Sequence, residues 1–445
     1  MQNQELIKRV EADGVKFLSL QFTDLLGTVK SVDIPAHRVP TALEQGVWFD
    51  GSSVEGFARI QESDMHLHLD ADTYQILPWS APERRRARVL CDIYNTDGTP
   101  FEGDPRYMLK KQLARAKELG YSFNVGPELE FFLLKKTNGG AVQAVPHDVG
   151  SYFDFSASDE AQRVRNAIVL ALEAMGLEVE MSHHEVALGQ HEIDFKYGEA
   201  LRTADNSVTF KYVVKAVANA HDLLATFMPK PIFGINGSGM HTHQSLFSAD
   251  GKNLFFKADD PFKLSPIAYS YLAGQLQHAR ALAAIVAPTV NSYKRLVPGY
   301  EAPVYVCWAQ MNRSALIRIP RYTPGHDSAT RIELRFPDPS CNPYLAFAAI
   351  LAAGLDGIEK KLTPPPNVNN IDVYHFTPAE LHERGIGVLP GTLEEALDEL
   401  ENDDVVRSVL GEQAYEDYMR IKREEWDEYR IRVSQWELDR YLEVA

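Results

Sequence analysis

Apolar and polar positions alternate with a period of two through much of the first hundred residues. Residues 15–22 and 27–34 read as short, half-buried strands, and Asp24-Leu25-Leu26-Gly27 between them punctuates like a hairpin turn. A turn-forming cluster, Asn95-Thr96-Asp97-Gly98-Thr99-Pro100, predicts a boundary that splits the chain into 1–100 and 101–445. Just beyond it, Asp104 and Pro105 supply the N-cap and first position of a helix running to about Leu119. Helical spacing then covers 158–175, 204–227, 266–287, 343–361 and most of the chain from Leu393, with short strands interspersed. Thr363-Pro364-Pro365-Pro366 cannot continue a helix and reads as a surface loop, and helices resume near Pro378.

Length and charge narrow the picture. A chain of 445 residues exceeds one ordinary compact core, so two domains are expected. Its 45 basic and 62 acidic residues give a formal charge of −17, which excludes a general nucleic-acid or anionic-membrane surface. A local group of arginines inside such a chain can still bind phosphate. Glu394, Glu395, Asp398 and Glu399 read as a solvated helix face. Cys91, Cys307 and Cys341 are far apart and form no CxxC pair, so neither a disulfide framework nor a zinc–thiolate site is expected. The N-terminus has no apolar h-region and no apolar run reaches spanning length, which predicts a cytoplasmic protein with no membrane partner.

Three strands carry the candidate chemistry. On a strand, positions i, i+2 and i+4 share a face. Glu128 and Glu130 therefore project together, backed by Leu129 and Phe131. His241, His243 and Ser245 share a face, as do Arg331, Glu333 and Arg335. Any one such strand could simply have a solvated polar face. Three that carry acids, imidazoles and guanidiniums point instead to a divalent cation such as Mg²⁺ or Mn²⁺, with arginines gripping phosphate or carboxylate. Glu185 and Glu192 are seven apart, an odd spacing that lets them converge only if the chain bends, with Gly189-Gln190 the natural place. His183, His184 and His191 beside them read as surface or core-satisfied histidines. There is no Gly-x4-Gly-Lys-Ser/Thr loop and no strand-linked GxGxxG, so any ATP must be held by metals and arginines. Asn236-Gly237-Ser238-Gly239 reads as a turn, or as a place where backbone approaches a ligand.

Taken together, Phe49-Asp-Gly-Ser-Ser, the Glu128 strand, the Glu185–Glu192 segment, Asn236-Gly-Ser-Gly-Met-His, the run from Asn291 to Pro303 and Arg331-Ile-Glu-Leu-Arg closely resemble the prokaryotic type of the glutamine synthetase family. The resemblance covers nearly the whole chain. It implies an α+β fold, with an N-terminal β-grasp-like domain and a larger catalytic domain built on a carboxylate-lined funnel of antiparallel strands. It also implies a dodecamer of two hexameric rings with active sites between subunits, at least two Mg²⁺ or Mn²⁺ ions per site, and ATP as substrate. By resemblance Glu130, Glu185 and Glu192 bind one ion and Glu128, His241 and Glu333 the other. Arg313 and Arg335 serve the transferring phosphoryl group. Glu180, Tyr197, His243, Ser245, Arg318 and Arg331 contact the nucleotide, and Asn236, Gly237, Arg295, Glu301 and Arg335 the glutamate. Asp50, Ser53, Tyr152 and Glu185 form the ammonium site, with Asp50 from a neighbouring subunit, and Glu301 closes a flap over the reaction. The implied reaction phosphorylates the glutamate side chain and then displaces phosphate with ammonia.

The chain length resembles the shorter, feedback-regulated subclass. Tyr374 lies in Asp-Val-Tyr-His-Phe-Thr-Pro, unlike the adenylylated tyrosine of the longer subclass, and Arg59 matches an arginine used for glutamine feedback. Small regulatory proteins are possible partners, and the tail from Val433 only partly follows the subclass pattern. Two rival readings are a ligase of the same fold that takes an organic amine and a two-metal phosphohydrolase; a catalytically silent relative is a third.

Overall fold

The computed structural model describes residues 3–52, 54, 56, 64–136, 143–155, 160–299, 302–312, 314–369, 371 and 373–444. The N-terminal part is a five-stranded sheet made of β1 (Phe17–Thr23), β2 (Val29–Pro35), β3 (Val47–Asp50), β4 (Asp64–Ile76) and β5 (Arg86–Tyr94), in the order β2-β1-β5-β4-β3. β1 and β2 form the predicted hairpin, in register from Phe17↔Pro35 to Thr23↔Val29. The Asp24 carboxylate closes its turn by accepting from the Thr28 N–H at 2.8 Å. β1 also pairs in parallel with β5. A helix at Asn3–Ala12, which a strand-rich reading of this region missed, buries Leu6 and Val10 against the sheet's own core.

The larger part is built on a ten-stranded sheet. Its strands are β6 (Ser122–Lys135), β7 (Val179–His184), β8 (Gln190–Phe195), β9 (Gly198–Glu199), β10 (Leu223–Thr226), β11 (Met240–Phe247), β12 (Tyr305–Ala309), β13 (Ala315–Arg318), β14 (Ile332–Leu334) and β15 (Gly387–Val388). Eight of them run in the order β15-β12-β13-β14-β11-β6-β8-β7, and β9 and β10 pair with β6 off that path. β6 is antiparallel to β11 on one side and to β8 on the other. The face away from the site carries Leu129, Phe131, Ile193, Met240, Ile332 and Leu334, all buried in the main core. Helices cover that face. One of them, Pro343–Glu359, is buried from Pro343 to Gly357. Together the two parts make an α+β fold.

Polar contacts tie the parts together, two of them centred on Asn342 and Arg106. Asn342, which caps the helix Pro343–Glu359, donates from its side-chain amide to the Asp24 and Leu25 carbonyls of the hairpin, each at 3.2 Å. Arg106, buried in the helix Pro105–Glu118, reaches Asp70 on β4 and Asp92 on β5, both at 2.6 Å. It also contacts Asp205 on the helix Ala200–Ala220 at 3.0 Å. One guanidinium thus ties the N-terminal sheet to two helices of the larger part through several charge-assisted bonds.

Several expected elements change in detail. Asp104 caps its helix as expected, accepting from the Arg106 N–H at 2.9 Å. The helix expected over 204–227 is Ala200–Ala220, and its apolar end becomes β10. The one expected over 266–287 breaks at His278, whose ring lies between Asp403 at 2.6 Å and Asp356 at 3.0 Å. From Leu393 onward there are four helices in place of one, and the Arg331 strand shrinks to Ile332–Leu334. Glu394, Glu395 and Asp398 are exposed as expected, but Glu399 is half-buried against Arg280 at 2.8 Å.

Candidate active site

The expected faces are present and they converge. Antiparallel pairing places His241 opposite Glu128 and His243 opposite Glu333. Glu130 lies directly opposite Glu192. The chain between Glu185 and Glu192 does bend, because β7 and β8 are antiparallel with His183 opposite Glu192. A cavity of ≈ 390 Å³ collects all of these side chains except His243, and is also lined by Tyr152, Asn236, Gly237, Arg295, Arg318 and Arg335. A neighbouring one of ≈ 280 Å³ is lined by Glu180, Tyr197, His243, Ser245 and Arg331. Glu128 and Asp194 border both.

Within the larger cavity two groups have donor atoms close enough to share an ion: Glu128, His241 and Glu333, and His183, Glu185 and Glu192. The first group is neutralised by its surroundings. His243 Nε2 lies 2.7 Å from Glu128, and Arg335 Nε donates to Glu333 at 3.1 Å. Arg318 Nε also donates to Glu333. Burial alone would raise both acids, but His243 holds Glu128 low, and the imidazoles and Arg335 hold Glu333 far below the carboxylate range. Arg331 Nε donates to His243 Nδ1 at 3.2 Å, so the ring's proton sits on Nε2 and points at Glu128.

In the second group His183 stands between the acids, its Nε2 lying 3.1 Å from Glu185 and 3.6 Å from Glu192. Glu130 and Glu192 face each other across two strands, where like charges repel. Burial, reinforced by neighbouring acids, raises Glu130 to about 8 and pushes Glu192 well above the carboxylate range. Glu130 accepts from Gln190 Nε2 at 2.8 Å and from the Gly239 N–H at 3.0 Å. Asp194 Oδ1 and His183 Nδ1 are buried with no hydrogen-bond partner among the described residues. Hard oxygen donors and one imidazole in each group, together with the repulsion among the acids around the second, fit a divalent cation at each.

Of the residues expected to contact glutamate, Gly237 and Arg295 meet through close backbone approach. Arg295 is buried and donates to the Phe336 carbonyl at 2.8 Å and the Arg335 carbonyl at 3.2 Å. Gly237 and Gly239 pack against it. A Cβ on Gly237 would lie 2.2 Å from the Pro229 carbonyl oxygen, and one on Gly239 would lie 2.5 Å from Arg295 Nη2. The glycines therefore make room for an arginine, a use that the plain-turn reading did not foresee.

Other placements depart from expectation. Arg318, grouped with the nucleotide contacts, lines the larger cavity against Glu333. Asp50 ends β3 on an exposed edge, accepts from the Ser52 N–H at 2.8 Å and lines neither cavity. Ser53, Arg59, Glu301, Arg313 and the side chain of Tyr374 lie outside the described residues. His183 belongs to the cavity, unlike the surface or core role expected of it, while His184 and His191 are indeed buried. Gln190, Asp194 and Phe153 also line the cavity and were missed. Alternation from Glu192 would have found Gln190 and Asp194, which share its face.

Comparison with known proteins follows the same division. The family model described as glutamine synthetase, beta-Grasp domain matches residues 14–96, and that described as glutamine synthetase, catalytic domain matches 102–441. Glutamine synthetase of Halobacterium salinarum is 54% identical, covering 98% of this chain and 95% of its own. That of Methanosarcina mazei is 54% identical over 99% of this chain and 98% of its own. Among solved structures, a GmaS/ADP complex superposes with a TM-score of 0.88 at 36% identity, covering 98% of this chain and 99% of its own. Plasmodium falciparum glutamine synthetase, solved by cryo-electron microscopy, gives 0.88 at 28% identity over 99% of each chain.

Proposed function

The chain belongs to the glutamine synthetase family, and from that membership we infer how its residues divide the work. The enzyme joins ammonia to the side-chain carboxylate of glutamate at the expense of ATP, yielding glutamine, ADP and phosphate. The observation that carries the residue assignment is the convergence of two acid–imidazole groups in one cavity beside a second, arginine-bordered cavity.

Glu128, His241 and Glu333 would hold one Mg²⁺ or Mn²⁺, and Glu130, Glu185 and Glu192 the other, His183 standing beside the second set. Bound there, the ions supply positive charge to the phosphate oxygens. Glu180, Tyr197, His243, Ser245 and Arg331 hold ATP in the smaller cavity, with its γ-phosphate directed at the shared wall formed by Glu128 and Asp194. Asn236, Gly237 and Arg295 hold glutamate in the larger one, so the side-chain carboxylate meets the phosphate at that wall. Arg335, Arg318 and Arg313 stabilise the phosphoryl group as the carboxylate oxygen attacks it and ADP leaves. Ammonia then attacks the γ-glutamyl phosphate and phosphate departs. Glu301 closes the site against water.

Ammonium is captured by Asp50, Ser53, Tyr152 and Glu185, and Asp50 comes from a neighbouring subunit. Two features support this: Asp50 lines neither the larger nor the smaller cavity of its own chain, and Trp48, Phe153 and Phe155 are exposed near the two sides of the proposed contact. The assembly is a homo-oligomer, a dodecamer of two hexameric rings, in the cytoplasm. Among the described residues no helix is long and apolar enough to cross a membrane. The chain is of the shorter subclass, is not adenylylated at Tyr374, and senses glutamine through Arg59. Arg59→Ala should retain activity and lose glutamine inhibition; an unchanged inhibition curve would contradict that role.

Phosphate release from ATP, Mg²⁺ and glutamate, measured with ammonium, an organic amine or neither, tests the reading. Release that requires glutamate and ammonium is expected. Release without glutamate would indicate a hydrolase, and release only with the organic amine would indicate the related ligase.

A further inference from the structure

Behind the turn that carries Glu185 lies a group of titratable side chains that the ligation chemistry does not use. Asp148, on the segment leading to Tyr152, is surrounded by three imidazoles. His184 Nε2 lies 3.1 and 3.2 Å from its two oxygens, His147 Nε2 lies 3.3 Å from Oδ2, and His191 Nε2 lies 3.7 Å from Oδ2. The Gly189 N–H donates to the same carboxylate at 2.7 Å. The three imidazole side chains are at most 4% exposed.

Such spacing suits either a metal centre or a proton network, since the ligand atoms of a tetrahedral zinc shell are separated by roughly 3.3 Å. Arg165 decides between them. A guanidinium only donates, and Arg165 Nη1 lies 2.9 Å from His191 Nδ1. That nitrogen must accept, so the ring's proton sits on Nε2, facing Asp148, where it blocks metal ligation. His184 is also settled by geometry. Its Nδ1 lies 2.6 Å from the Glu185 carbonyl oxygen and its Nε2 lies against the carboxylate. Both nitrogens face acceptors, so both carry protons and the ring is an imidazolium. Burial alone would raise Asp148, yet the imidazoles around it hold it well below the carboxylate range.

We propose that Asp148 is a positioning residue that locks the Glu185 turn against the Tyr152–Phe153 wall, and so sets cation affinity at the Glu130–Glu185–Glu192 group and ammonium affinity beside it. The Gly189 N–H bond closes the far end of the turn, and His184 carries the grip to the Glu185 carbonyl. The Phe153 N–H donates to the His184 carbonyl at 3.1 Å. Phe153 takes φ of 60°, a left-handed conformation costly for a bulky residue and held here by its neighbours. Gly150 lets the segment cross the imidazole, because a Cβ there would lie 2.5 Å from His184 Nε2.

The inference rests on the role given to Glu185, so the test separates the two. Mn²⁺ titration of the full chain and steady-state kinetics are run on wild type, Asp148→Asn, Gly150→Ala and Glu185→Gln. Asp148→Asn keeps the side-chain volume and removes the charge. It should weaken one of the two Mn²⁺ sites and raise the ammonium KM, each by about tenfold or more, with the KM for ATP unchanged. Gly150→Ala, which pushes on His184 from outside, should produce the same split with a smaller amplitude. No change in either variant, or equal loss for ammonium, ATP and both cations, overturns the proposal. If Glu185→Gln moves both readouts and Asp148→Asn neither, the brace alone fails. If Glu185→Gln moves neither, the assignment of Glu185 fails and the brace with it. Stoichiometric zinc surviving chelator dialysis of the wild type would also overturn it, by making the group a metal centre.

Discussion

The two acid groups in the larger cavity share a sheet and differ in what surrounds them. Glu128 and Glu333 sit among His243, His241, Arg318 and Arg335, and are ionised by design of their neighbours. Glu130 and Glu192 face each other where burial and neighbouring acids outweigh the offset from Arg295, and hold on to protons. The first group is therefore already ionised for a cation. The second would be completed electrostatically by a cation, in exchange for protons.

The largest expected effect comes from breaking the prepared site. Glu333→Ala removes the carboxylate on which two arginines and His241 converge, and turnover should fall on the order of a thousandfold or more. A near-normal kcat would contradict its assignment as a ligand.

Next is the pH dependence of cation binding. Glu130 is raised to about 8, so below that value a proton must leave before the ion is held. Glu192 is held higher still, so Mn²⁺ affinity at one site should rise by about tenfold or more per pH unit from 6 towards 8. The Glu128–Glu333 site, whose acids are already ionised, should change little over the same range. Two parallel pH profiles in a titration would remove the distinction.

Gly239→Ala presses on Arg295, which lines the larger cavity and whose charge helps to offset Glu130. The KM for glutamate should rise roughly tenfold to a hundredfold, the effect of about 1–3 kcal/mol of overpacking, with a smaller change in kcat. An unchanged KM would remove Arg295 from the glutamate site.

The smallest expected effect lies outside the cavity, at His278, an imidazole clamped between Asp356 and Asp403. Burial lowers its pKa, but the two carboxylates raise it overall. A raised folded pKa stabilises most below the unfolded value of about 6.5, and that stabilisation is lost as pH rises through the folded pKa. His278→Gln should thus cost roughly 1–2 kcal/mol at pH 6 and less at pH 9, read from denaturant midpoints. The reverse trend would contradict a charged ring.

Much of this arrangement was legible in the sequence because strand alternation has a fixed period. Glu128, Glu130, His241, His243 and Glu333 could be assigned to faces from spacing alone, and Leu129 and Phe131 to the core. Which faces would meet depends on strand order, and no local pattern encodes the pairing of β6 with both β11 and β8. The sorting of acids into two groups came from family resemblance. Side chains recruited from turns, such as Asp148, carry no periodic signal, and the helix break at His278 reflects tertiary charge pairing that overrides local propensity.

If the glutamate side chain is phosphorylated before nitrogen arrives, glutamate labelled with ¹⁸O in that carboxylate must pass the label to phosphate. With ATP, Mg²⁺ and ammonium, each phosphate released should carry one ¹⁸O taken from glutamate, in step with glutamine formed. Phosphate bearing only solvent oxygen would contradict the account.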